Sequence, residues 1–130
     1  MSHVHAVVWL DHREAKVVDF SVDDKHVVAV HHTGGHRQVH HKAGSIGSGH
    51  APDDVHFLDA IVTALDDAQE VLITGPGNAK VGLRDHLAKK HPAVAKRVVG
   101  VETLDHPTEG ELLAYARKYF KRVDAMLGDR

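Results

Sequence analysis

Glu70-Val71-Leu72-Ile73-Thr74-Gly75-Pro76-Gly77-Asn78-Ala79-Lys80 is the stretch on which the reading of the fold turns. Glu70 to Thr74 is short and wholly apolar at its centre, as a parallel strand covered on both faces is. Gly75-Pro76-Gly77-Asn78 breaks the run, and the residues from Ala79 to Lys90 read as a helix ended by His91-Pro92. Arg97 to Val101 (RVVGV) is the next apolar run. Strand, helix and strand in that space form one parallel crossover, whose hand is right-handed.

Working outward, His5 to Leu10 (HAVVWL) reads as a buried strand closed by the turn Asp11-His12-Arg13-Glu14, with Trp9 in the core. Ala15 to Val22 alternates, with Lys16, Val18, Phe20 and Val22 set against Val17, Asp19 and Ser21; Asp23-Asp24 is the next turn. His26 to His31 is the third strand, and the short connections make an antiparallel meander. Pro52 with Asp53 and Asp54 suits a helix N-terminus, and Val55, Leu58, Ile61, Val62 and Leu65 recur at helical spacing. Thr108 and Glu111 have capping-box spacing, ahead of an apolar face of Leu112, Ala116, Tyr119, Phe120 and Val123. The order β-β-β-α-β-α-β-α predicts an α/β fold: a single mixed five-stranded sheet with flanking helices. The ribonuclease-H-like arrangement has this order, with strand 1 central and strands 4 and 5 beside it.

The 130 residues form one domain by length, and 42% hydrophobic with 26% charged residues is ordinary globular composition. The chain has no cysteine, which removes disulfides and thiolate metal sites and fits the cytoplasm. No signal peptide or membrane-length apolar run is expected, and a net charge of -2 argues against a generic nucleic-acid binder, which is normally strongly basic.

One stretch has no apolar periodicity. From about residue 32 to 51 it holds Gly34, Gly35, Gly44, Gly47 and Gly49, five of the eleven glycines. Between His31 and His50 stand six histidines (His31, His32, His36, His40, His41, His50) with Arg37 and Lys42, and no acid. A long flexible loop is expected here, and one of this length is functional or disordered. Glycine lets backbone N–H groups approach phosphates while the side chains add positive charge, which suits a polyanion. His40-His41 or His32-His36 offer imidazoles to a metal, but the stretch holds no carboxylate or cysteine to complete a set, so no metal site is assigned.

Elsewhere, Asp11 ends strand 1 where a two-metal nuclease of this architecture would want a carboxylate. Strand 4 ends without an acid, so Asp11 is read as a turn cap before Arg13. The turn at Gly75 to Lys80 sits where a phosphate loop would but lacks the Lys-Ser/Thr pair, and is read as a tight strand-to-helix turn. The helix after it is basic, with Lys80, Arg84, Lys89 and Lys90 against Asp85, followed by Lys96 and Arg97. Tyr115, Tyr119 and Phe120 are read as packing residues rather than base-stacking platforms.

His40-His41-Lys42-Ala43-Gly44-Ser45-Ile46-Gly47-Ser48-Gly49-His50, Leu72-Ile73-Thr74-Gly75-Pro76-Gly77-Asn78-Ala79-Lys80 and Val101-Glu102-Thr103-Leu104-Asp105-His106-Pro107-Thr108 together resemble the bacterial "translational machinery protein" family. That family is similar to the central domain of archaeal and eukaryotic class-1 peptide release factors and of Pelota. The resemblance implies a release-factor central-domain-like fold and a partner in the ribosome or the tRNA acceptor end. In release factors a Gly-Gly-Gln tripeptide lies between strand 3 and the first helix and promotes hydrolysis of peptidyl-tRNA; the 32–51 loop has the same topological place. That tripeptide is absent: Gly34-Gly35-His36-Arg37-Gln38 interposes two residues, and Gly47-Ser48-Gly49-His50 has no glutamine. Binding is therefore expected ahead of catalysis, with Gln38 and His50 the candidates to orient a water at an ester. Gly34, Gly35, His36, Arg37, His40, His41, Lys42, Gly44, Ser45, Gly47 and Gly49, with Lys80 and Arg84, are the expected RNA-binding residues. No cofactor is expected, nor DNA or membrane as partner. A His-rich metal-binding protein and a non-catalytic protein-interaction domain are the alternatives.

Overall fold

The turn after the first strand is built by one side chain. Asp11 Oδ1 accepts the backbone N–H groups of Arg13 (2.8 Å) and Glu14 (3.0 Å), and the Asp11 N–H donates to the Glu14 carbonyl at 3.0 Å. The chain reverses so that β1 (His5–Leu10) lies antiparallel to β2 (Glu14–Phe20), with His5 opposite Phe20 and Leu10 opposite Ala15. A second reversal, with the Ser21 N–H on the Asp24 carbonyl at 2.9 Å, brings β3 (Lys25–His31) against β2. Val22, expected in the second strand, stands in this turn at 90% exposure. A computed structural model describes residues 5–22, 24–31, 55–66 and 68–126.

The second half follows as α1 (Val55–Ala64), β4 (Glu70–Gly75), α2 (Ala79–Lys90), α3 (Pro92–Ala95), β5 (Val98–Thr103) and α4 (Glu109–Met126). β4 pairs in parallel with β1, Val7 opposite Leu72 and Val8 opposite Ile73, and β5 pairs in parallel with β4. The sheet order is β3-β2-β1-β4-β5, with the first strand central as expected. The Thr74 hydroxyl, fully buried, donates to the Val8 carbonyl at 2.9 Å, which adds a side-chain bond to this central pairing. At its end the two backbones close further: a Cβ on Gly75 would run into the Leu10 carbonyl oxygen.

Alternation along the strands divides the core. Ala6, Val8, Leu10, Ala15, Val17, Val71 and Ile73 meet Phe57, Leu58, Ile61 and Val62 of α1 and Leu83 and Leu87 of α2, with Val94 of α3 beside them. On the opposite face Val7, Trp9, Val18, Phe20 and Leu72 pack on Leu112, Ala116 and Phe120 of α4. Burying each large apolar side chain contributes about 1.5–3 kcal/mol. Both faces being covered explains why Val17 and Val18 are equally buried in β2, although their alternation reads as a half-exposed strand. Val55 is the exception on α1: it starts the described helix and is 54% exposed, while Phe57 takes a core place that the helical spacing does not assign.

The capping box is present, with the Thr108 N–H on Glu111 Oε1 (2.9 Å) and the Glu111 N–H on Thr108 Oγ1 (3.1 Å). The one-turn helix α3, begun by Pro92, is not expected from the sequence; it ends just before Arg97, whose guanidinium donates to the carbonyls of Asp66 (3.1 Å) and Ala68 (3.0 Å). Arg97 therefore braces the entry to β4 and is not part of a basic binding face.

Two substitutions test this packing by urea unfolding. Gly75→Ala must push β4 from β1 and should cost at least about 1–3 kcal/mol. Phe120→Ala, at the centre of the α4 face, should cost about 3–5 kcal/mol.

Candidate nucleic-acid interface

β1, β3, β4 and β5 run in the same direction, so Leu10, His31, Gly75 and Thr103 end at one edge of the sheet, where β2 begins with Glu14. From this carboxyl edge the connection of β1 leaves toward β2 and that of β4 toward β5. In open α/β sheets such a divergence marks the usual ligand crevice. In the chain, residues 32–54 follow His31, the last residue of β3 at this edge, and precede Val55 of α1.

Most polar groups along the edge have structural duties. Asp11 holds its turn, as its sequence position suggested, so a nuclease carboxylate is not free there. The Trp9 indole N–H donates to the carbonyls of Leu104 (3.1 Å) and Asp105 (2.5 Å), fixing the passage from β5 to α4, and His106 lies tilted against the indole at 4.9 Å. A cleft of about 140 Å³ opens beside them, lined by Trp9, Glu14, Lys16, His106, Pro107 and Glu109 among others. His31, last before residues 32–54, stands 3.7 Å from Glu14 in a pair about half exposed, a setting worth little in energy.

Gly75-Pro76-Gly77-Asn78 is a tight turn, as read. Asn78 makes no side-chain cap; its carbonyl instead accepts the N–H groups of Val81 and Gly82, both at 3.0 Å. The Lys80 ammonium donates to the Gly77 carbonyl of the same turn. Arg84, one turn on and exposed, lies against Asp85 Oδ1 at 3.3 Å. These two residues share a stripe of α2 that flanks its buried side, Ala79, Leu83 and Leu87. Lys80 sits at the carboxyl edge and Arg84 just behind it. Gln38 and His50, with Gly34, Gly35, His36, Arg37, His40, His41, Lys42, Gly44, Ser45, Gly47 and Gly49, lie outside the described residues.

The tyrosines pack, as expected. Tyr119 crosses β5 at Gly100, where a Cβ would meet its hydroxyl, and donates to Glu102 Oε2 at 2.9 Å. Burial, and after it that bond, pushes the Tyr119 phenol up to about 12; burial first, then the Glu102 charge, also raises Tyr115.

Two side-chain clusters escape a sequence reading because their members lie far apart in the chain. His5 Nε2 stands 3.0 Å from Glu70 and 3.9 Å from Asp124, its ring between Phe20 and Phe120. Asp59 Oδ1 meets His86 Nε2 at 2.8 Å and His91 Nε2 at 3.0 Å, and the hydrogen bonds from His86 and then His91 hold its carboxyl below the usual range.

No family model and no curated protein matches the sequence. Solved structures do. Thermoplasma acidophilum Pelota aligns with a TM-score of 0.63 at 18% identity, over 89% of this chain and 32% of its own. The archaeal translation termination factor aRF1 aligns at 0.54 with 12% identity, over 94% of this chain and 38% of its own. Dom34 of S. cerevisiae, a translation termination-like factor involved in RNA quality control pathways and interacting with Hbs1, aligns at 0.54 with 14% identity, over 94% and 37%. The fold is Pelota- and aRF1-like. The chain spans about a third of the length of these proteins, and at such identities the likeness is one of fold.

Tyrosinate absorbance gives a direct check on the α4–β5 contact. Tyr119 should ionise near 12 rather than 10, and Glu102→Gln should lower that midpoint. Because the folded value is the higher, the contribution to stability is complete below pH 10 and is lost as pH rises toward 12.

Proposed function

We propose that this protein associates with the ribosome or the tRNA acceptor end in the cytoplasm, acting in termination, rescue or ribosome protection in the manner of the bacterial "translational machinery protein" family. One observation carries the reading. The acid-free, Gly- and His-rich segment 32–51 stands in the chain between β3, whose last residue His31 is at the carboxyl edge, and α1, in a domain with the Pelota and aRF1 fold. Arg37, Lys42 and the histidines of the segment contact phosphates, and Gly34, Gly35, Gly44, Gly47 and Gly49 allow the backbone close approach. Lys80 and Arg84 extend the positive surface from the adjoining turn of α2. Net charge is -2 with histidines neutral, so attraction to RNA is local to this edge rather than a property of the whole chain.

Binding, not hydrolysis, is the activity proposed, because the sequence has no Gly-Gly-Gln tripeptide. At the edge, Asp11 and Trp9 are committed to backbone groups.

Ribosome co-sedimentation tests the proposal. The intact chain should pellet with ribosomes at low salt and be released steeply as salt rises. Replacing residues 32–50 by a short Gly/Ser linker should abolish pelleting. Removing Lys80 and Arg84 together should flatten the logarithmic salt dependence by about 0.7–0.9 for each phosphate that these side chains neutralise. Absence of association at low salt would sink the idea.

A further inference from the structure

The contact between α1 and α2 is polar at one point, and three side chains converge there. Asp59 projects from α1, His86 from α2, and His91 from the residue that ends α2. Both imidazole Nε2 atoms are directed at the same carboxylate oxygen, Asp59 Oδ1, at 2.8 and 3.0 Å, and the two rings are tilted by 57° with centroids 5.2 Å apart. His86 is nearly enclosed, with 9% of its side chain exposed, whereas His91 and Asp59 keep 32% and 47%. The three donor atoms lie within 4.8 Å of one another.

We infer that Asp59, His86 and His91 form a binding site for a divalent transition-metal ion of the zinc type that clamps α1 to α2. The donor set fits. Two imidazoles and one carboxylate, in a chain without cysteine, suit zinc and its neighbours rather than the hard cations that prefer oxygen alone. In tetrahedral coordination with bonds of about 2.0–2.1 Å, ligand atoms stand roughly 3.3–3.4 Å apart. The two N···O separations, 2.8 and 3.0 Å, reach that by a retreat of about half an ångström or less, and the two Nε2 atoms, within 4.8 Å of each other, adjust through the more exposed His91. Three protein ligands leave the fourth position to water, and the exposed side of Asp59 and His91 is where water enters.

Without a cation, Asp59 Oδ1 accepts both imidazole N–H groups, as a carboxylate oxygen with two lone pairs can, so the three side chains are already gathered when a metal arrives. The other cluster, His5 with Glu70 and Asp124, has one imidazole, already packed between Phe20 and Phe120, and an acid 3.9 Å away; it reads as an ion pair. The objection to a site within residues 32–51, that the stretch holds no carboxylate, does not apply between α1 and α2.

Because six histidines stand between His31 and His50, bulk zinc uptake is ambiguous and the test must be residue-resolved. The untagged full-length chain is titrated with Zn²⁺ while the imidazole resonances are followed by NMR and affinity by calorimetry. Expected are shifts of His86 and His91 with the first equivalent, and a loss of at least about tenfold in affinity for that equivalent in Asp59→Asn and in His91→Gln. Those two positions are chosen because, unlike His86, they are not enclosed, so folding is retained; unchanged dispersion of the remaining resonances verifies it. Zinc bound only through the histidines of residues 31–50, with His86 and His91 unmoved, overturns the inference. So does wild-type affinity for the first equivalent in Asp59→Asn.

Discussion

The parallel pairing of β1 with β4 is the constraint on which everything else in this fold depends. It joins residues more than sixty positions apart, Val8 to Ile73 and Trp9 to Thr74, and so unites an N-terminal meander with a C-terminal crossover. Such a non-local contact carries a large loop-closure cost, which local hydrogen bonds alone would not offset. Here it is offset by burial on both faces: Val8 and Ile73 point to one helical layer, Val7 and Leu72 to the other. The Thr74 hydroxyl on the Val8 carbonyl and the bare Gly75 against Leu10 then fix how closely the two backbones lie.

From that pairing the functional geography follows. Once β1 and β4 are neighbours with their connections leaving in opposite directions, the strand ends on one edge diverge, and His31, after which residues 32–54 follow, ends β3 at that edge. The edge is built conservatively. Its acid and its tryptophan hold backbone groups, and the α2 turn is braced by its own lysine. Among the described residues, these side chains hold the strand ends and the turn that follows β4 in place.

The outer layer tells a different story. α1 and α2 share an apolar floor, Phe57, Leu58, Ile61, Leu83 and Leu87, yet meet above it through a carboxylate and two imidazoles. A polar contact beside an apolar one contributes orientation more than energy, because it is satisfied in one geometry only. If α1 is held in place at Asp59, the point at which residues 32–54 rejoin the fold is held as well. The inferred metal site and the proposed interface are separate in chemistry, and α1, which carries Asp59, is the element that follows residues 32–54 in the chain.

The sequence by itself determined the elements, because each carries its own local physics. Glu70 to Thr74 is apolar enough to be covered on both faces, Gly75 to Asn78 must turn, Thr108 and Glu111 cap each other, and Asp11 closes a hairpin. It also determined that residues 32–51 differ from the rest, since composition needs no neighbours to be read. Only the tertiary structure decided which residues share a space. Val55 has the helical spacing of a core residue but starts the helix beyond the sheet, whereas Phe57 turns inward. Arg97 reads as part of a basic run until it is seen on two carbonyls. Asp59, His86 and His91 carry no shared motif; they meet because two amphipathic helices pack side by side on one sheet face. Periodicity reports which way a side chain points relative to its own element, and the partner it finds there is set by the packing of elements distant in the chain.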